Sequence, residues 1–424
     1  MTDSTTERAR PLVAVGYGPR CVPVMQLAEA AAGLCDLLWM IDTAVPGMGE
    51  MTDLLNRFGP VVDLKGMSTE QAIKILADWE PDGMTTYLDA GMVELACVAE
   101  GLGLPFHSPA TAAALTDKAR QRRALADAGL DMPPWHHVRP HQSEAELSAI
   151  EAEVGWPAVL KPRSAQGSRC TFLARDRAEL ANLLVALGPG RRDMVLEGYL
   201  ADDPARAGDP YAGYVSVESM VADGAISHLA LTGRFPPAEN FRETGFFIPA
   251  ALDAGSRSAV LDLATRAIDA LGVRTGCLHT EVKFTPDGPR INEVNGRMGG
   301  GVPEMLERAA GVSLLDLTLR VALGEPVSVD GPVATDRIGY RFFLQPPSVS
   351  ATVTAIEGIN DFTDRAEVDT VSVHQGPGAA LDWRDGSGNH IVAVVGSTDD
   401  EEQLQAAYRL LHQEVTVTYT DVRH

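Results

Sequence analysis

Lysine is scarce in this chain of 424 residues: Lys65, Lys74, Lys118, Lys161 and Lys283 are the five present, while lysine and arginine together number 35. A sequence that fills its ordinary surface with arginine makes each retained lysine informative. A compact ammonium is hard to replace where one point charge must touch a phosphate. Cysteine is sparse too, with five residues at 21, 35, 97, 170 and 277 and no CxxC pair. That pattern excludes a zinc cluster and a disulfide frame, and points to a reduced, cytoplasmic protein. No run of about 18 apolar residues occurs, so no membrane-spanning helix is expected, and MTDSTTERARPLVAVGYG lacks the apolar segment of a signal peptide. No GxxxxGK[ST] is present, which excludes a Walker phosphate loop. Positive charge is deficient overall. A net charge of −23 repels nucleic acid and anionic lipid, so neither is expected as a partner. An anionic ligand would need a locally positive site or a metal.

What is present is organised in segments. PLVAVGYG, CDLLWMID, PVVDLKG and DGMTTYLD read as short strands, each followed by a helical pattern. That alternation predicts an α/β unit with a doubly wound parallel sheet over residues 1–110. TDKARQRRALADAGL reads as a helix with Thr116 as a cap candidate, Asp117 capping or charging its start, and a glycine near its end. MPPWHHVRPH is a break, with His136 and His137 read as loop residues. WPAVLKPRSAQGSRCTFLAR reads as strand, loop, strand, and MVLEGYL as a further strand. YVSVESMVADGAISHLALTGR predicts a hairpin turning at Asp223-Gly224. SRSAVLDLATRAIDALGV is an amphipathic helix. CLHTEVKFT and RINEVN are two strands joined at PDG, and from about residue 331 the pattern is β-rich with a late helix. Four units are expected: 1–110, 111–197, 198–330 and 331–424.

The segment HTEVKFTPDGPRINEVNGRMGGG, residues 279–301, concentrates the chemistry. If its two strands pair around PDG, Glu281 and Glu293 lie near each other. Glu293 and Asn295 then share a face, which Arg297 continues. Two carboxylates and an amide oxygen can hold one or two Mg²⁺ ions and leave positions for substrate phosphate. An arginine two residues on suits a transferring phosphoryl group or an oxyanion, and the glycines allow close backbone approach to an anion at a helix start. Asparagine and three glycines are poor strand residues that gain nothing on an ordinary surface. Lys161 ends an apolar strand just before the small-residue loop SAQGSRC, whose amides can fold over a phosphate. Lys118 opens a helix. Gly16-Tyr17-Gly18 followed by Asp42 is an incomplete dinucleotide fingerprint, since Cys21 stands at its third glycine.

A lysine at a helix start, a lysine ending a strand before a small-residue loop, an E-x-Y-L strand and then Glu…Glu-x-Asn-x-Arg with glycines, in this order, resemble the ATP-grasp superfamily. Within it the look is similar to the L-amino-acid ligases, on His279, Thr280, Glu281, Glu293, Asn295, Arg297, Gly299, Gly300 and Gly301. The resemblance implies an ATP-grasp fold with a central lid, and a ligase joining a carboxylate to an amine through an acyl phosphate, with ADP and phosphate released. Other members of the class are a ligase acting on a non-standard acid or a longer peptide, a carboxylase, and a nucleotide-binding regulator with a dead site. The implied cofactors are ATP and Mg²⁺, or Mn²⁺ in its place. The implied partners are small amino-acid or peptide substrates, and homodimers are common in the superfamily.

By the same resemblance Lys118, Lys161 and Ser168 of the lid loop would contact ATP phosphates, while Glu197, Tyr199 and Leu200 would form the adenine hinge. Glu281, Glu293 and Asn295 would hold Mg²⁺, and Arg297 would stabilise the acyl phosphate and the tetrahedral intermediate. Glu243 would grip a substrate ammonium, with Phe246, His279, Gly299 and Gly300 around the substrate. Residues 133–197 would be the moving lid. Two departures stand out. Phe246 replaces a frequent histidine. Tyr214 stands where a glutamate often contacts ribose, leaving Glu218 or Asp202-Asp203 as substitutes.

Overall fold

The computed structural model describes residues 10–139, 144–188, 192–327, 329 and 331–423. The polar N-terminal tail, Arg10 apart, lies outside the described residues. The first unit is a parallel sheet in the order Val61–Asp63, Asp36–Ile41, Leu12–Gly16, Gly83–Thr86. Its two central strands are near-continuous apolar runs because helices cover both faces. No helix among the described residues is long and apolar enough to cross a membrane.

A second, antiparallel sheet runs Trp135–Val138, Met194–Gly198, Ala158–Pro162, Phe172–Ala174. With helices Glu144–Val154 and Arg177–Leu187 it encloses its own apolar cluster, including Val138, Ile150, Leu160 and Leu180. The first of these strands corrects the sequence reading, which left His136 and His137 in a loop. Four residues beside two prolines have no strand signal of their own, and the pairing is supplied by residues 194–197, far along the chain. His136 then meets Glu153 at 2.7 Å and His137 meets Asp193 at 3.0 Å.

The largest sheet has eight antiparallel strands: Gly288–Asn295, Gly276–Thr285, Tyr214–Ala222, Ala225–Arg234, Gly245–Ile248, Ile338–Leu344, Val392–Thr398 and Val368–Val373. Asp223 and Gly224 turn one hairpin with φ of 47° and 81°, the pair of positive angles that a two-residue hairpin turn needs. The short strand Gly245–Ile248 joins the hairpin strands to the C-terminal strands, so the β-rich tail continues the sheet. Only Ala380–Leu381, Ser350–Glu357 and Thr416–Arg423 form a separate three-stranded sheet. Helix Ala254–Ala270, capped by Asp253, packs Val260, Ala264 and Ile268 against the hairpin face.

Candidate active site

Strands Gly276–Thr285 and Gly288–Asn295 set Glu281 directly opposite Glu293. A bulge follows, leaving Asn292 as the extra residue of the second strand. Its Nδ2 donates to Glu281 Oε2 at 2.7 Å. Bulges re-aim side chains, and here Asn292, Glu293 and Asn295 all line one cavity of about 1040 Å³. Asn295 Nδ2 donates to the His279 carbonyl at 3.4 Å, which leaves its Oδ1 as a free acceptor.

Both singled-out lysines reach this cavity. Asp117 caps helix Lys118–Asp127, accepting from the amides of Ala119 and Arg120. That start presents Lys118 inward, where Nζ meets Glu293 Oε1 at 2.8 Å and donates to the Ala165 carbonyl at 2.7 Å. Lys161, near the end of strand Ala158–Pro162, meets Glu197 Oε2 at 2.8 Å. Arg122, wholly buried, approaches the same oxygen at 3.0 Å and also donates to the Asn292 carbonyl. Sequence reading missed Arg122, although Lys118, Arg122 and Leu125 share one helical face. Burial alone would raise the pKa of Glu197, but two cations outweigh it and hold the carboxyl at about 2. Burial pushes Lys161 below its ordinary value despite Glu197 and Glu293, with Arg122 and Lys118 adding to the fall.

Glu197, Tyr199 and Leu200 line the cavity beside the lysines. The Tyr199 hydroxyl donates to Asp202 at 3.1 Å, and Lys283 pairs with the same carboxylate. Asp202 and Asp203 face the cavity, whereas Glu218 does not. It is fully buried in mid-sheet, and its carboxylate accepts from Ser216 and Thr232 at 2.8 Å each and from His279 Nδ1 at 2.9 Å. With its acceptors committed, Glu218 is removed from the candidates for ribose. The lid loop closes this wall: Ser168, at φ 56°, donates to the Phe241 carbonyl at 2.8 Å. Cys170 and Ser387 complete the closure through backbone bonds, Cys170 N to Arg384 O at 2.9 Å and Ser387 N to Gly167 O at 2.8 Å.

The opposite wall is organised by Arg234, which sequence reading also missed. It ends strand Ala225–Arg234 and is 2% exposed. It donates to Glu243 Oε1 at 3.1 Å and to Ser216 Oγ at 3.0 Å, and lies 3.7 Å from Glu281. Its guanidinium sits 4.9 Å from the ring centres of both Tyr214 and Phe246. Burial raises Glu243 above the usual carboxylate range despite Arg234. Burial also works against a charged His279, yet Glu218 overrides it and carries the imidazole up to about 9. Arg234 Nη2 and His279 Nε2 are 3.1 Å apart, a contact between two donors when the ring is charged. Glu281 Oε1, 3.6 Å from that nitrogen and 3.7 Å from Arg234, is the acceptor they share.

Arg297 is anchored from outside the hairpin. Its Nε donates to Asp89 Oδ2 at 3.1 Å and its Nη1 to the Met298 carbonyl at 2.9 Å. Asp89 follows the strand Gly83–Thr86 of the first unit, and nothing near it in sequence marks it. Gly299 is fixed by packing, since a Cβ there would lie 2.5 Å from His279 Nδ1. Gly300 borders open space and lines the cavity.

The donor set fits a hard divalent cation. Glu281, Glu293 and the free Oδ1 of Asn295 are oxygen ligands on one cavity wall, and protein cations already gather on the two carboxylates. Among the described residues no group of three or more histidine, cysteine, aspartate or glutamate side chains is arranged to hold a metal. Two carboxylates and an amide oxygen suit magnesium, which uses one or two carboxylates and completes its shell with water and substrate phosphate.

This architecture is the ATP-grasp fold. The solved structure of L-amino acid ligase from Bacillus licheniformis superposes with a TM-score of 0.78 at 23% identity, covering 97% of this chain and 99% of that one. In sequence the chain is similar to the uncharacterized protein y4rH of Sinorhizobium fredii, 26% identical over 327 residues, 76% of this chain and 66% of that one. It is also similar to alanine–anticapsin ligase of Bacillus subtilis, 26% identical over 271 residues, 59% of this chain and 56% of that one. The chain therefore spans just under two thirds of the first of these curated relatives and little more than half of the second. No family model matches it.

Proposed function

We propose that the protein is an ATP-dependent carboxylate–amine ligase that joins two amino acids, or an amino-acid-like acid and amine, and releases ADP and phosphate. One observation carries this reading. Lys118, Lys161, the cross-strand pair Glu281 and Glu293, and Arg297 converge on one cavity of about 1040 Å³, at the upper end of the roughly 300–1,000 Å³ typical of small-molecule sites. The similarity to amino-acid ligases supports it.

In this reading Lys118 and Lys161 bind the triphosphate, with Ser168 and its loop amides over it and Glu197, Tyr199 and Leu200 beside adenine. Glu281, Glu293 and Asn295 would hold Mg²⁺, which when bound neutralises phosphate charge and orients the γ-phosphoryl group. A substrate carboxylate oxygen attacks the γ-phosphorus, the bridging P–O bond breaks and ADP departs. The amine nitrogen then attacks the acyl carbon, the C–O bond to phosphate breaks, and the amine loses its proton. Arg297, oriented by Asp89, stabilises charge on the acyl phosphate and on the tetrahedral intermediate. Glu243 and Arg234 orient the substrate, with Phe246 and the glycines 299 and 300 shaping its pocket. The lid, residues 133–197, and the loop 383–388 exclude water from the acyl phosphate. We assign the reaction to the cytoplasm, which five unpaired cysteines suit.

The test is an ADP-release screen of pairwise amino-acid mixtures with Mg·ATP, followed by product mass. At least one pair should release ADP in step with a product lighter than its reactants by one water. ADP release that needs bicarbonate and no amine would turn the reading to a carboxylase. ATP binding without ADP release above background for any pair would refute catalysis.

A further inference from the structure

The cavity continues past the reaction centre along an aromatic wall. Phe246, under Arg234, meets Phe343 edge-on with ring centres 5.2 Å apart. Phe343 carries the Arg341 guanidinium at 5.4 Å and the His390 ring at 4.7 Å. His374 lies beyond, 4.5 Å from His390. Arg20, from the turn after strand Leu12–Gly16, reaches the same end, and all these side chains line the cavity.

Two features set this end apart from an ordinary basic surface. The first is incomplete compensation in a chain of net charge −23. Among the described residues Arg20 has no carboxylate partner. Arg341 has one, Glu304 at 2.9 Å, but its Nε is buried without an acceptor. The second is the space made for both guanidinium groups. A Cβ on Gly388 would lie 3.2 Å from Arg20 Nη1, and one on Gly301 would lie 2.6 Å from Arg341 Cδ. Arg20 itself is held at φ 66°, a conformation that costs a non-glycine residue energy and persists where its surroundings enforce it.

The two imidazoles supply no competing cation. His390 Nδ1 donates to the Ser387 carbonyl at 3.1 Å, so its Nε2 is an acceptor. Burial, reinforced by His374, Arg341 and Arg20, pushes its pKa down to about 4. His374 is lowered by burial and by Arg341. The arginines alone remain to receive an anion, and a guanidinium fork matches a carboxylate.

We propose that this end of the cavity binds a carboxylate of one reactant between Arg20 and Arg341, so that the enzyme selects an acid-bearing substrate reaching along the Phe246–Phe343 wall. That the bound molecule is a reactant rests on the ligase reading; that a carboxylate binds here does not. The carboxylate is either a side-chain acid or the α-carboxylate of the amine substrate.

Calorimetric titration of the full chain with L-glutamate, L-glutamine and L-isoglutamine separates these sources. L-Glutamate should bind at least tenfold more tightly than L-glutamine if the side-chain acid is read, or than L-isoglutamine if the α-carboxylate is read. Arg20→Gln and Arg341→Gln should each remove that preference, and Arg20→Lys should restore part of it with an unchanged melting temperature. In ADP-release assays Arg20→Gln should raise KM for the acidic reactant at least tenfold and leave KM for ATP as it was. Equal affinity for the three ligands, or variants that bind L-glutamate like the parent chain, would overturn the carboxylate site even if neutral pairs are ligated. Arg20-dependent binding of L-glutamate in a protein that releases no ADP would sink the ligase reading and leave the site standing.

Discussion

Arg297 donates from Nε to Asp89 Oδ2 at 3.1 Å, and that bond ties the segment after the Glu281–Glu293 hairpin to the parallel sheet of the first unit. Burial opposes the charge on Arg297, but Asp89, with Glu293 and Glu281, raises its pKa above the ordinary value. Asp89→Asn keeps the shape and removes the charge that aims the guanidinium. It is expected to lower kcat for ADP release by about ten- to a hundredfold, the scale of losing a partner that orients a site residue, with little change in KM for ATP. An unchanged kcat would mean that Arg297 is positioned without Asp89.

Glu293 faces Glu281 across the hairpin and holds Lys118 at 2.8 Å. Under the proposed ligase reading, Glu293→Gln should therefore disturb both the proposed cation site and Lys118. Titrating Mg²⁺ against ADP release should show turnover abolished, or a requirement raised by at least about tenfold, the scale of losing one ligand group. A parent-like magnesium curve would refute the metal assignment.

Arg122 is completely buried against Glu197 and the Asn292 carbonyl. Arg122→Met leaves Glu197 with Lys161 as its single partner. Breaking a buried pair costs about 3–5 kcal/mol, and the remaining lysine puts the expected loss at about 3 kcal/mol in urea unfolding. A loss under about 1 kcal/mol would show that Lys161 alone satisfies the carboxylate.

Glu197 also makes stability depend on pH. Its folded pKa, about 2, lies below the ordinary 4.5, so its contribution is complete above pH 4.5 and is lost as pH falls toward 2. The full contribution is about 3 kcal/mol by linkage. Glu197→Gln should be less stable than the parent at pH 7, and the gap should narrow between pH 4.5 and 3. A gap independent of pH would place its cause elsewhere than in the ionised carboxylate.

Gly386 has φ 78° and ψ −164°, a region open essentially to glycine alone. A Cβ there would lie 2.1 Å from the Gly167 carbonyl. Gly386→Ala should push the loop 383–388 off the lid loop. KM for ATP should rise several-fold, with a fall in melting temperature confined to the contact of Trp383 with the apolar cluster of the four-stranded antiparallel sheet. An unaltered KM would separate this contact from nucleotide binding.

The sequence determined the local pieces of this protein. Apolar runs between glycine turns specify the parallel strands, Asp223-Gly224 and Pro286-Asp287-Gly288 specify the hairpin turns, and strand alternation places Glu293 and Asn295 on one face. Lys118 and Lys161 stood out by rarity, and both reach the cavity. Each of these depends on neighbours a few residues apart, whose sterics and periodicity are written in the chain.

Tertiary structure decided what no local signal carries. Asp89 meets Arg297, the loop at 383–388 meets the loop at 167–170, and Arg20 and Arg341, far apart in the chain, both act on His390. Arg122 and Arg234 carry no signal in the sequence; burial makes them the partners of Glu197 and of Glu243 and Glu281. Glu218 reads as a ligand contact until mid-sheet burial commits its oxygens to Ser216, Thr232 and His279. A charge becomes structural or functional only when desolvation makes its partner obligatory, and desolvation is a property of the packed fold.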